Sequence, residues 1–293
     1  MSEGKLSSTN FYNQSFLEEK CALNELFYLL SKRWMTEVLF RFVCLSIILV
    51  SALNAGAAPA RYYYQLKIYH FRNAMQEGRL DAYLQNAYLP ALHKTGVKNV
   101  GIFKPIQQDS LDRKIYVFIP YRTWDALENT DQKILKDQTY LDAGKDYIDA
   151  PYNNSPYTRI ETIITRAFIN APEPNLPNLT GKKADRVYEL RSYEGATEKL
   201  HASKVKMFNI GDEMAIFKKY DMNGVFYSEV IAGGHMPNLM YMTTYNTKQD
   251  NVDKWKLFGK DPDFVALGKM PEYQHNVSKG ESFFLYPAEY SDF

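Results

Sequence analysis

Two stretches of the chain repeat each other at a constant offset, and this repeat constrains the fold more than any other feature. The offset that places residues 63–71 (YYQLKIYHF) over residues 187–195 (VYELRSYEG) also places Lys136–Asp137 over Lys260–Asp261. A chance resemblance would not keep one offset over so long a distance. The chain therefore contains a tandem duplication of one structural unit.

Each copy has the pattern strand, helix, strand, strand, helix, strand. In the first copy, alternation over residues 62–71 precedes apolar residues three and four apart from Leu80 to Leu92, which predict a helix that Pro90 kinks. This order is that of a ferredoxin-like βαββαβ unit. Since helices cover only one face of such a sheet, the two sheets are expected to bury their bare faces against each other. The predicted fold class is α+β, with two tandem ferredoxin-like units.

The copies define the predicted domain boundaries. The first unit spans residues 61–169 and the second spans residues 186–293. Residues 170–185 contain three prolines among polar residues, a composition typical of a linker. Residues 1–57 precede both units and are predicted to be an N-terminal extension and signal peptide.

The predicted signal peptide rests on an apolar run that follows Arg41 and ends before small residues at 55–57. We expect cleavage near Ala57 and export to the periplasm or the medium. The alternative is a membrane anchor through Phe42–Ala60, without cleavage. Because a signal peptide usually lies close to the first methionine, Met35 competes with Met1 as the true start.

Cysteine content and charge exclude several classes of function. Both cysteines, Cys21 and Cys44, precede the predicted cleavage site, so the mature chain would contain neither disulfides nor thiolate sites. The formal net charge of +1 gives no field that would attract nucleic acid or an anionic membrane. We therefore predict no nucleic-acid partner and no stable membrane insertion after cleavage.

The second copy resembles the NIPSNAP domain. The resemblance is carried by YELRSY at 188–193, PNLMYMTTYNT at 237–247 and DKWKLFGKDPDF at 253–264. The first copy keeps YYQLKIY and ILKDQTYLDAG but lacks the tryptophan and the Asp-Pro pair, so it is similar to a diverged copy. The resemblance implies the dimeric α/β-barrel superfamily, in which two ferredoxin-like units close one barrel. The two units of this chain would then pair as an intramolecular α/β barrel.

Alternation in the opening strands divides their side chains between two faces. Tyr64, Leu66, Ile68, Tyr188 and Leu190 form an apolar face, which we expect the helices to cover. The opposite face is expected to point into the barrel and carries the candidate ligand-binding residues Gln65, Lys67, Tyr69, Glu189, Arg191 and Tyr193. These charges either neutralise one another across the strands or line a ligand pocket.

The histidines and the second helix of copy two provide few further candidates for a functional site. The histidines do not have metal-ligand spacing, so no metal site is predicted. His235 follows Gly233 and Gly234 in a loop at the barrel mouth, where it is either a solvated turn residue or a functional imidazole. Trp255 and Phe258, three apart on a helix, are expected to pack on the sheet.

The leading functional hypothesis is a binding or interaction module, whose partner is a small molecule or a protein. Nucleotide-binding and hydrolase motifs do not occur in the sequence, and no cofactor is predicted. The alternative is a small-molecule oxygenase or isomerase that uses the barrel interior, since the resemblance extends to a superfamily that binds haem or aromatic substrates. Both a monomer and a homo-oligomer are compatible with the pattern.

Overall fold

The computed structural model of the protein describes residues 60–293, together with positions 32, 34, 35 and 38 of the N-terminal segment. The chain divides into two units, Met1–Ala58 and Pro59–Phe293, and the second contains both copies of the repeat. The predicted signal peptide and anchor lie outside the described residues, so cleavage, export and the true start stay predictions. None of the described helices is long and apolar enough to cross a membrane.

Eight antiparallel strands form a closed barrel in the order β1-β3-β2-β8-β5-β7-β6-β4. The strands are β1 (Tyr63–Phe71), β2 (Gly101–Pro105), β3 (Arg113–Tyr121), β4 (Arg159–Ala167), β5 (Val187–Glu194), β6 (Gly224–Ala232), β7 (Asn238–Tyr245) and β8 (Lys279–Pro287). Each copy contributes four neighbouring strands. The copies meet at two seams, β2–β8 and β4–β6. This closure confirms the predicted pairing of two ferredoxin-like units in one α/β barrel.

Helices cover the outside of the barrel between the strands of each copy. The first copy contains α1 (Ala74–Tyr83), α2 (Leu89–Lys94), α3 (Trp124–Ile134), α4 (Gln138–Ala143) and α5 (Lys145–Ile148), and the second contains α6 (Glu198–Asn209), α7 (Glu213–Lys219), α8 (Lys248–Phe258) and α9 (Pro262–Lys269). The side chains of Asn73, Thr123, Thr197 and Thr247 cap α1, α3, α6 and α8. The caps occupy the same places in both copies, so the duplication extends to the helix boundaries.

The predicted kink at Pro90 takes the form of a π-helical turn. Residues Leu84–Tyr88 form this turn between α1 and α2, and the amide of Leu89 donates to the carbonyl of Leu84, five residues back. A proline removes one amide donor and crowds the preceding turn, and one wider turn relieves both problems. The chain therefore stays helical up to Lys94 instead of breaking.

The two faces of the opening strands lie the opposite way round from the prediction. Tyr64, Leu66, Ile68, Tyr188 and Leu190 point into the barrel, where they join one buried cluster. The polar face lies under the helices. The physical reason is that a closed eight-stranded barrel is filled only by its own side chains, whereas side chains under the helices can bond to polar groups of those helices.

Large side chains fill the barrel interior. Phe103, Tyr116, Phe118, Phe226 and Met242 are buried there together with the apolar residues of β1 and β5. The rings of Phe118 and Phe226 stack with centroids 4.8 Å apart, although they come from different copies. The interior is therefore the shared core of the two copies.

Candidate functional site

Glu189 is the centre of a hydrogen-bond network between β5 and α8. The residue is 0 % exposed. Oε1 accepts a hydrogen bond of 2.7 Å from Arg191 Nε, and Oε2 accepts bonds of 2.7 Å from Asn251 Nδ2 and 2.5 Å from Trp255 Nε1. Such a buried carboxylate is tolerated because a cation and two further donors satisfy it.

Arg191 connects this carboxylate to two tyrosines. Its guanidinium lies 3.8 Å from the centroid of the Trp255 ring, and its Nη1 donates to the Tyr193 hydroxyl at 2.6 Å. The Tyr193 hydroxyl is in turn 3.0 Å from that of Tyr241. The structure thus brings Glu189, Arg191 and Tyr193 together, but under the helices and not inside the barrel.

A second buried ion pair lies beside Tyr193. Lys204 Nζ is 2.8 Å from Glu213 Oε2, and both side chains are almost fully buried. Burial raises the pKa of the Glu213 carboxyl, while the neighbouring Lys204 lowers it in part. The second copy therefore contains two buried ion pairs, one within β5 and one that joins α6 to α7.

The corresponding face of the first copy contains Gln65, Lys67 and Tyr69 without a carboxylate partner. Lys67 Nζ is 3.3 Å from the Tyr88 hydroxyl and 4.8 Å from the centroid of its ring. Within residues 60–293, Lys67 forms no ion pair, and burial lowers its pKa. Gln65 accepts a hydrogen bond from Tyr121, and the buried Tyr69 hydroxyl has no hydrogen-bond partner among the described residues.

His235 is a turn residue at the surface. Its side chain is 66 % exposed, and Nδ1 lies 3.2 Å from Glu194 Oε1. The residue has a φ of 63° in the connection between β6 and β7. In the described part of the chain, no hydrogen bond joins His235 to the Glu189 network. Whether any of the seven predicted residues binds a ligand stays a prediction.

The structure also contains a cleft that the sequence did not indicate, at the seam between β2 and β8. We call it the seam cleft; its volume is about 560 Å³, and its lining includes Gln108, Tyr116, Lys248, Ser282, Phe283 and Phe284. It forms because β2 pairs with β8 over only three residue pairs and ends at Pro105. Residues 106–112 then leave the sheet.

Two strand edges face each other across the seam cleft. On β3, the Gln108 side chain occupies the place of a missing strand, because it bonds both the amide and the carbonyl of Lys114 at 2.9 Å. On β8, the last bond to the β2 side runs from the Ile106 amide to the Phe284 carbonyl. Since alternate residues of a strand bond to the same side, the peptide groups of Ser282 point into the cleft.

The walls of the seam cleft carry aromatic side chains and two lysines, Lys248 and Lys114, of which Lys114 is paired with a carboxylate. Tyr116 and Phe283 approach each other from opposite strands, with ring centroids 6.1 Å apart. Lys248 Nζ lies 3.1 Å from the centroid of the Phe284 ring and donates to Asn251 Oδ1 at 3.1 Å. Burial lowers the pKa of the Lys248 amine. This cleft therefore combines an apolar floor with a positive group at its edge.

Asn251 links the seam cleft to the Glu189 network. Its Oδ1 accepts from Lys248 and its Nδ2 donates to Glu189, so the amide orientation is fixed from both sides. Sequence reasoning missed Lys248 and Asn251. The available signals were Pro105 and the longer connection at 106–112 in copy one, compared with 233–237 in copy two.

Comparisons with known proteins found a matching family model and similar solved structures. The NIPSNAP family model matches residues 188–292. A search of curated proteins found no match to this chain. A "putative monooxygenase" from Fusobacterium nucleatum is similar over 78 % of this chain and 93 % of that chain, with 9 % identity and a TM-score of 0.50. A NIPSNAP family protein from Agrobacterium tumefaciens is 19 % identical over 36 % of this chain and 96 % of that chain, with a TM-score of 0.32.

At 9 % identity, the likeness to the Fusobacterium protein concerns the fold alone. It covers most of this chain because both copies of the repeat lie in one barrel. The family model, by contrast, matches the second copy. The second copy of the repeat thus matches the NIPSNAP family model, and the two copies are joined in one polypeptide as an α/β barrel.

Proposed function

We propose that this protein is a binding module that holds a small, largely apolar molecule in the seam cleft. The observation that carries the proposal is the cleft itself, which has about 560 Å³ of space over the aromatic side chains of Tyr116, Phe283 and Phe284. Small-molecule sites are typically clefts of about 300 to 1,000 Å³, lined mainly by apolar groups with a few polar ones.

The two other candidate locations are less suited to a ligand. Both carboxylate oxygens of Glu189 already accept hydrogen bonds, and Arg191 lies against Trp255. The barrel interior is filled by buried side chains of both copies. The alternative function, an oxygenase or isomerase for an aromatic substrate, would therefore use the same seam cleft.

A blocking substitution tests the location. Ser282 is exposed on β8 and lines the seam cleft, so Ser282→Trp fills the space while every core residue stays unchanged. The matched control is Thr162→Trp: Thr162 is exposed on β4 and pairs with Lys67 as Ser282 pairs with Arg191, but it lies at the other seam.

The probe is N-phenyl-1-naphthylamine, a neutral aromatic dye whose fluorescence rises in apolar surroundings. We expect Ser282→Trp to weaken its binding at least about tenfold and Thr162→Trp to leave it unchanged. Circular dichroism confirms that both variants are folded. Equal binding by the wild type and a folded Ser282→Trp variant would overturn the proposal.

A further inference from the structure

The cation at the edge of the seam cleft indicates which class of molecule the cleft takes. Lys248 has three N–H donors, and the structure shows one hydrogen bond, to the neutral oxygen of Asn251. Within residues 60–293, no carboxylate forms an ion pair with it. Lys248 is an exposed residue, and the Phe284 ring lies against one side of its ammonium group. Donors of Lys248 are thus available next to an apolar surface.

Glu189 does not accept a hydrogen bond from Lys248 directly. The Glu189 carboxylate accepts from Arg191, Asn251 and Trp255, and its nearest connection to Lys248 passes through the Asn251 amide. The negative charge of Glu189 is therefore used within its own network. Among residues 60–293, the seam cleft therefore offers Lys248 no carboxylate within ion-pair distance.

The carboxylates on the opposite wall are already engaged. Asp112 Oδ1 is 2.7 Å from His70 Nδ1, and Asp112 Oδ2 is 3.4 Å from Lys114 Nζ. Asp109 Oδ1 accepts from the Leu111 amide within its own turn, and Asp109 is exposed to water. Solvent weakens the field of such an exposed charge.

The strand edge supplies further donors. The Ser282 amide points into the seam cleft because it lies two residues before Phe284, whose carbonyl bonds to the Ile106 amide on that side. A carboxylate accepts several hydrogen bonds at once, and bonds to charged acceptors are stronger than neutral ones. Lys248 and the Ser282 backbone therefore form a polar end for a cleft with an aromatic floor.

We infer that the seam cleft selects an amphipathic organic anion, with a carboxylate against Lys248 and a planar apolar body on Tyr116 and Phe283. This inference rests on the proposed binding function and adds the charge of the ligand. A neutral molecule of the same shape would leave the donors of Lys248 unused. A cationic molecule would face a like charge at the same place.

Three naphthalene probes of one shape separate the charge from the apolar contact. 1-Naphthaleneacetate is anionic, 1-naphthalenemethanol is neutral and 1-naphthylmethylamine is cationic. Calorimetric titration of the full chain at low salt should show the anion binding at least about tenfold more tightly than the alcohol, and the amine most weakly. Lys248→Gln should remove this advantage and leave the affinity for the alcohol unchanged.

The control is Lys256→Gln, which removes the same charge from an exposed position of the same helix, α8. It should leave the order of the three probes intact. Equal binding of the anion and the alcohol to the wild type would overturn the inference but not the proposed function. Tightest binding of the amine would also overturn it. Failure of all three probes to bind would overturn the proposed function and the inference with it.

Discussion

The two halves of the barrel share a backbone plan but differ in what they bury between sheet and helices. The second half buries the ion pair of Lys204 and Glu213. At the corresponding positions of the first half, the chain has Leu80 and Leu89, both buried in an apolar cluster. The same fold therefore closes with either arrangement, which indicates that this ion pair is not what the fold requires.

The two halves also differ in where a carboxylate lies: on a strand in the second half and on a helix in the first. In the second half, Glu189 on β5 accepts from Trp255 on α8. In the first half, the corresponding residues are Gln65 on β1 and Asp131 on α3. Asp131 is exposed and raises the pKa of Lys67 by its charge, but this effect is smaller than that of burial. Lys67 therefore lacks the close partner that Arg191 has.

The two seams between the copies, β4–β6 and β2–β8, also differ in how far their strands pair. At the β4–β6 seam, β6 pairs with β4 as far as Ala232, and the next residue, Gly233, lies against Ile163. A Cβ at Gly233, whose φ is 150°, would come within 3.2 Å of that side chain, so only glycine fits this close approach. At the β2–β8 seam, pairing stops early and the seam cleft opens. The two copies therefore differ at their seams, and only the β2–β8 seam of the described chain opens into the seam cleft.

The largest expected effect concerns the buried ion pair. Lys204→Leu should reduce the free energy of unfolding by about 3 to 5 kcal/mol at pH 7, because it leaves Glu213 charged and unpaired in the core. The loss should shrink at lower pH, since burial raises the pKa of Glu213 and the carboxyl becomes neutral. Urea unfolding at two pH values measures both effects.

The double variant with Lys204→Leu and Glu213→Leu gives the second half the two leucines that the first half has at these positions. Because no charge is left unpaired, its stability should equal the wild type or exceed it by about 1 to 4 kcal/mol. A double variant as unstable as the Lys204→Leu variant would show that the ion pair is required and that the halves are not interchangeable at this place.

The next largest expected effect on stability concerns the hydrogen-bond network around Glu189. Arg191→Ala should cost about 3 kcal/mol, at the lower end of the range for breaking a buried ion pair, because Asn251 and Trp255 continue to donate to Glu189. Replacing Glu189 and Arg191 together by Leu and Met should recover much of the loss. A loss below about 1 kcal/mol for Arg191→Ala would indicate that water reaches Glu189 and that the network is an open site.

Lys67→Met should have a smaller effect of opposite sign. Burial favours the neutral form of Lys67, so removing the amine should raise stability by up to about 1 kcal/mol at pH 7. The wild type should gain stability as the pH rises through the lowered pKa of Lys67 toward its ordinary value, and the variant should not. Thermal unfolding between pH 7 and 10 checks this. A clear loss of stability in the variant would show that Lys67 is paired after all.

The smallest effect concerns the pH dependence of anion binding in the seam cleft. The affinity for 1-naphthaleneacetate should fall as the pH rises through the pKa of Lys248, which burial places below its ordinary value. Lys256→Gln should show the same decline, and Lys248→Gln should show none. A decline in the Lys248→Gln variant would assign the titration to another group.

The sequence predicted the barrel because the repeat, the strand and helix periods and the family resemblance all led to it. The prediction that the polar face of β1 and β5 points into the barrel was wrong. Alternation divides residues such as Leu66 and Lys67 between faces, but both faces of each strand are covered, one by the barrel and one by helices. Only the partners of the polar face, such as Asn251 and Trp255, show which side lies under the helices.

The seam cleft was not predictable because it depends on contacts between distant segments. Its walls come from residues 105–116, from β8 and from the first turn of α8. The early end of β2 at Pro105 is readable locally, but the position of β8 beside it depends on pairing between the two copies. Lys248 also looks like an ordinary surface lysine until the Phe284 ring is placed beneath it.

A crystal structure of the full chain with bound 1-naphthaleneacetate tests the central claim most directly. The account predicts density for the ring on Tyr116 and Phe283, with the carboxylate within about 3.2 Å of Lys248 Nζ. Density for the ligand beside Arg191, between β5 and α8, or within the barrel interior would contradict it.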